Sequence, residues 1–144
     1  MSRSIRLLVP AIAVVATLAW ASSYDEKGPE GPNIQYFDKV AHFFVFGLLG
    51  TLWFRAVPGR LQSTTRLAAA FVLTLMYGVV DEWIQASNPV RTFDPWDWIA
   101  DALGALTALL FYRNWDLYRR ILETPVSGLF RGEILGEDEE RLRS

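Results

Sequence analysis

Apolar residues in this sequence are gathered into four blocks, residues 7–20, 36–54, 67–84 and 95–112, rather than spread evenly along the chain. A soluble domain would alternate its core and surface positions along every element. Blocks of this length ask instead for a bilayer, whose hydrocarbon core takes about 20 helical residues. The first block is short for a span. With Arg3 and Arg6 before it and Ala19-Trp20-Ala21 at its end, it has two readings, a cleaved signal peptide or a retained first helix. Retention is favoured, because the other three blocks need a membrane in any case and continuation to Tyr24 supplies an aromatic interfacial end.

Between the blocks the breaks are explicit. Gly28, Pro29, Gly31 and Pro32 mark a loop after the first, and Pro58-Gly59 ends the second. Asp94-Pro95 is a helix start, with Asp as N-cap and Pro where a missing N–H costs nothing. Gly47 and Gly50 in the second block, and Ala100, Gly104 and Ala108 in the fourth, form small-residue surfaces suited to close helix contact. The expected architecture is an all-α, integral membrane four-helix bundle. Residues 1–22 form its N-terminal transmembrane helix, 36–112 a three-helix membrane core, and 113–144 an amphipathic, then acidic, solvated tail.

Charge gives the orientation. Arg3, Arg6, Arg55, Arg60, Arg66, Arg113, Arg119 and Arg120 fall on one side of the four blocks. Cytoplasmic loops carry the excess of Lys and Arg, so both termini are placed in the cytoplasm. The other side sets Lys27, Lys39 and Arg91 against nine carboxylates. Trp20, Tyr24, Tyr36, Trp83, Trp96 and Trp98 would belt this outer face, and Trp53, Tyr112, Trp115 and Tyr118 the inner one. Nucleic acid is excluded as a partner, because the basic residues are the inner membrane flank and the net charge is −2. The absence of Cys removes thiolate metal sites and thiol nucleophiles, and a single His without a motif-placed Ser argues against a nucleophilic triad.

Residues 81–101, DEWIQASNPVRTFDPWDWIAD, concentrate polar groups at the membrane edge. An Asp or Arg at the centre of a membrane helix costs roughly 2.5–3.5 kcal/mol on insertion scales, so such groups pair with one another or mark a site. Asp38 and His42 are four apart and share a helical face, where a carboxylate can orient an imidazole. Glu82 and Gln85, Asp94 and Asp97, and Asp97 and Asp101 are spaced to share faces in the same way. If these faces converge, His42, Glu82 and Asp97 build a carboxylate and imidazole pocket suited to a divalent cation or to acid/base work. No cofactor is established by any motif. Arg91 is a candidate for bidentate binding of phosphate or carboxylate. The competing structural account is that Arg91 neutralises its neighbours and that the network only clamps helix ends. Asp81 reads as an interface residue.

Asp38-Lys39-Val40-Ala41-His42-Phe43, Asp81-Glu82-Trp83-Ile84-Gln85, and Arg91 with Asp94 and Asp97 ahead of Leu103-Gly104-Ala105 together resemble the signature of the VanZ-like family of small bacterial membrane proteins. Two departures stand out. Asp101 occupies a position where the pattern often has Asn, and Asn88-Pro89-Val90 replaces the usual Pro-Gly before Arg91. The resemblance implies a multi-span helical protein of the cytoplasmic membrane, with a namesake linked to low-level teicoplanin resistance. Three functional expectations follow. An outward pocket with Asp38, Gln85, Arg91, Asp97 and Asp101 as ligand-binding residues would bind an envelope lipid or peptidoglycan-related group. Alternatively, His42 and Glu82 would act as catalytic acid/base groups, with or without a divalent cation. The third is a non-catalytic assembly subunit.

Overall fold

A computed structural model describes residues 3–23, 37–87, 89 and 94–123. They form helices α1 (Arg3–Ser22), α2 (Phe37–Ala56), α3 (Ser63–Ala86), α4 (Pro95–Asn114) and α5 (Asp116–Glu123), with no strand among the described residues. The fold is the expected all-α membrane bundle. By length and composition α1, α2 and α3 can each cross a bilayer. Helix α4 matches α1 and α2 in length but carries Asp97 and Asp101. Helix α3 starts four residues before its apolar block, because Ser63, Thr64 and Thr65 continue the helix past the hydrocarbon-seeking residues. Pro10 lies inside α1, where it removes one backbone bond without ending the helix.

The chain divides into two compact units, Met1–Leu110 and Phe111–Ser144. In the second, Phe111 stacks obliquely on Trp115, Tyr112 meets Tyr118 edge-on, and Asp116 pairs with Arg119 one turn along α5. The sequence reads this region as a tail. An amphipathic first part is in fact helical through Glu123, and residues 124–144 lie outside the described residues.

The first unit buries polar side chains beside its apolar core and exposes large apolar ones. Asp81, Glu82, Asp101, Thr51 and Thr74 are buried, whereas Phe44 and Met76 are 68% and 62% exposed. In water this arrangement would leave most of the hydrophobic effect unused; against lipid, large apolar side chains cost nothing outside and polar groups need partners inside. A small apolar core of Ala11, Phe46, Leu49 and Leu52 joins α1 and α2, with Tyr77 of α3 against it.

Two further devices hold the helices. The α2–α4 seam is built from small residues: a Cβ added at Gly47 would stand 3.1 Å from the Gly104 carbonyl oxygen, and one at Gly50 would stand 3.4 Å from the Ala105 Cβ. A Cβ at Gly104 would press on the backbone of Phe43, 2.7 Å from its carbonyl carbon. The glycines that the sequence marks for close contact therefore let two backbones touch. Hydrogen bonds to backbone carbonyls do the rest. Tyr77 donates to Val15 O at 2.9 Å, Trp98 Nε1 to Leu75 O at 3.3 Å, and Arg66 to Phe54 O at 3.0 Å while lying over the Phe54 ring.

The aromatic residues assigned to the membrane belts differ in exposure. Trp20, Trp83 and Trp96 are exposed. Trp98 instead turns its indole N–H toward α3, and Trp53 packs against the core. Tyr24 and Tyr36 lie outside the described residues.

Candidate functional site

The polar residues of the first unit meet at one end of the bundle, and each arrives by a local rule. Asp94 caps α4: its Oδ1 accepts the N–H of Trp96 at 2.9 Å, as an N-cap carboxylate should. Asp97 and Asp101 then follow on one face of α4, and Asp81, Glu82 and Gln85 on the last turns of α3. From α2 come Lys39 and His42, on the same stripe as Phe46 and Leu49 of the core.

Lys39 is the hub of the outermost layer. Its ammonium donates to Asp94 Oδ2 at 2.7 Å, and to Asp38 Oδ2 and Asp97 Oδ1 at 2.9 Å each. That one cation ties α2 to the start of α4. The Lys39 ammonium, with the Trp96 N–H, also holds the Asp94 carboxyl below the usual carboxylate range.

One layer deeper, His42 Nδ1 lies 2.9 Å from Asp101 Oδ1. The sequence gives Asp38 as the carboxylate orienting this imidazole. The structure assigns that part to Asp101, because Asp38 lies at the first turn of α2 with a side chain 59% exposed and is bonded to Lys39. Asp101, fully buried across the α2–α4 seam, is the nearer partner in a low-dielectric setting.

Glu82 is also buried. Its Oε2 accepts the backbone N–H of Asp94 at 3.1 Å, whereas its Oε1 has no partner among the described residues. His42, Glu82 and Asp97 each bring one ligating atom to within 4.8 Å of the other two, the grouping the helical spacing suggests. Asp38, Asp94 and Asp97 form a second such group.

Beside these layers, between α1, α2 and α3, is a cleft of about 170 Å³. Its lining includes the polar Ser22, His42, Asp81 and Gln85 and the apolar Leu18, Val45 and Phe46. Asp81 is buried and doubly bonded, accepting from Ser22 Oγ at 2.6 Å and from Gln85 Nε2 at 2.8 Å. It thus joins α1 to α3 and also lines the cleft.

Of the candidate residues, the structure brings together His42, Glu82, Asp97 and Asp101, puts Gln85 on the cleft, and sets Asp38 on the rim. Arg91 lies outside the described residues. Sequence reasoning missed two participants. Lys39 carried a usable signal, since it stands three residues before His42 and seven before Phe46 on one helical face. Ser22 carried none, because its role depends on how α1 docks.

An uncharacterized protein of Schizosaccharomyces pombe is 35% identical over 112 residues, covering 78% of this chain and 67% of its own length. No solved structure matches. The model of the VanZ/LLP1 family matches residues 2–118, which takes in α1 to α4 and every site residue described above. The chain belongs to the VanZ/LLP1 family.

Proposed function

We propose that this VanZ-family protein binds the polar headgroup of a membrane-embedded envelope component at the polar end of its bundle, and in doing so alters glycopeptide susceptibility. The observation that carries this reading is the mixed lining of the cleft, which holds Ser22, His42, Asp81 and Gln85 together with Leu18, Val45 and Phe46. A headgroup needs the first set and the chain that anchors it needs the second. The lining carries a carboxylate, Asp81, and neither Lys nor Arg, which favours a headgroup with N–H and O–H donors, such as an amino sugar or a short peptide, over a bare phosphate. Peptidoglycan-related lipids offer such donors.

Orientation belongs to the same proposal. The Arg-rich ends face the cytoplasm and the cleft faces out, with residues 36–112 as the membrane core and both termini inside. Retention of α1 is supported by its bonds to α3 through Val15 and Ser22, and by its share of the cleft. Single Cys residues at Ser87 and Ser63 of this Cys-free chain, labelled in intact cells with a membrane-impermeant maleimide, test it. Labelling at Ser87 alone supports an envelope ligand; labelling at Ser63 alone turns the cleft to the cytosol and defeats the proposal.

Ligand binding is tested in nanodiscs by native mass spectrometry with an amino-sugar polyprenyl lipid, with phosphatidylglycerol as the comparison. Gln85→Leu should weaken the amino-sugar lipid without changing protein abundance. Equal retention of both lipids by the native and substituted chains would refute the headgroup reading.

One observation favours a second reading, that of a membrane-embedded enzyme. His42 is paired with a buried carboxylate and grouped with Glu82, the arrangement of an oriented general base. Glu82→Gln and His42→Gln should then abolish turnover while leaving headgroup binding in place, whereas a binder loses affinity in a graded way.

A further inference from the structure

The two groups of three that could ligate a cation differ in one respect. Within Asp38, Asp94 and Asp97 a positive charge is already seated, the Lys39 ammonium at 2.7–2.9 Å from all three. Within His42, Glu82 and Asp97 that ammonium reaches only Asp97, and Glu82, 1% exposed, has an Oε1 with no hydrogen-bond partner among the described residues. A buried carboxylate oxygen without a donor is costly, so an orphan of this kind calls for a partner.

We propose that His42, Glu82 and Asp97 bind a divalent transition-metal cation of the Mn²⁺ or Zn²⁺ class, with Asp101 as the positioning residue of the imidazole. The donor set of one imidazole and two carboxylates suits borderline ions of this class better than Ca²⁺, which takes an all-oxygen shell. Size is compatible. Ions with bonds of about 2.0–2.2 Å hold ligand atoms roughly 3–4 Å apart, so atoms within 4.8 Å need to close by less than about 1–2 Å.

The surroundings also match. A metal-bound His characteristically gives its other ring N–H to a carboxylate, which fixes the tautomer. His42 Nδ1 is engaged by Asp101 at 2.9 Å, which leaves Nε2 with the lone pair. Glu82 Oε2 is held by the Asp94 N–H, so Oε1 is the oxygen left to ligate. Asp97 shares Oδ1 with Lys39, which limits the negative charge the ion must balance. Neither the headgroup reading nor its orientation is needed for this inference.

The test uses the full chain, purified with a tag free of His, in nanodiscs, loaded with Mn²⁺. Because the sequence has one His, any imidazole nitrogen coupled to the bound Mn²⁺ in a pulsed electron spin-echo experiment must belong to His42. The expected result is one ion per chain with a nitrogen modulation, displaced by Zn²⁺. Glu82→Gln should weaken binding at least tenfold. Asp101→Asn should weaken it by roughly 10–100-fold while the nitrogen modulation persists at saturation. No saturable uptake by the native chain below about 1 mM, saturable uptake without nitrogen modulation, or unchanged affinity in Glu82→Gln would each overturn the assignment. The native-chain spectrum needs no variant to fold.

Discussion

Gly104→Ala is the smallest change that should disable the site from a distance. The added Cβ would lie 2.7 Å from the Phe43 carbonyl carbon, 2.8 Å from its Cα and closer still to its oxygen, whereas ordinary contact begins at 3.4 Å. Both sides of this clash are backbone, so no rotamer can relieve it, and α2 and α4 must part by at least the missing 0.7 Å. Overpacking typically costs 1–3 kcal/mol, and a clash without a flexible partner belongs at or above the top of that range, about 3 kcal/mol. Gly104 is one turn from Asp101, and Phe43 adjoins His42. A shared displacement would stretch the His42–Asp101 bond from 2.9 Å to about 3.6 Å, beyond hydrogen-bonding distance. Unfolding free energy measured by steric trapping in bicelles should fall by about 3 kcal/mol, and the single His resonance should change its tautomer signature. Gly59→Ala, where an added Cβ meets nothing within 4 Å, should stay within about 0.5 kcal/mol. A Gly104→Ala protein as stable as the Gly59→Ala control would refute close backbone contact as what sets the site's geometry.

Further outcomes follow from the polar contacts between helices. Lys39→Met strands Asp94 and Asp97 and should cost about 2 kcal/mol in the same assay, below the 3–5 kcal/mol of a fully buried broken pair, because the Lys39 side chain is 22% exposed. Asp94→Ala should cost roughly 0.5–2 kcal/mol by loss of the α4 cap, and Asp94→Asn only a few tenths from the cap itself, plus whatever its ion pair to Lys39 supplies. Since the Lys39 ammonium and the Trp96 N–H hold the folded Asp94 carboxyl below the ordinary carboxylate range, its charge-dependent stabilisation should be complete above about pH 5. It should fade as pH drops through the lowered folded value, and a stability profile of the native chain and Asp94→Asn that diverged instead between pH 6 and 8 would contradict the sign. Tyr77→Phe removes the bond to Val15 O and should cost about 1 kcal/mol, read as faster proteolysis of α1 in the isolated protein.

Much of this protein was legible in its sequence because two of its determinants are local. Blocks of apolar residues set the helices, since a bilayer leaves the backbone few other ways to bond internally. Asp94-Pro95 set where α4 begins, and the small residues at 47, 50, 104 and 108 marked the seam. Spacing along single helices also grouped Glu82 with Gln85 and Asp97 with Asp101. Pairing between helices was not local. Asp38 is four residues from His42, yet Asp101, 59 residues away, holds the imidazole, because the backbone contact at Gly104 and Phe43 fixes how far α4 slides along α2. Lys39 became the hub for the same reason, and Ser22 a partner of Asp81 through the docking of α1 on α3. A sequence states which side chains share a face; only the docking of faces decides which charges come within 3 Å, and at that distance inside a bilayer the partner chosen governs the energy.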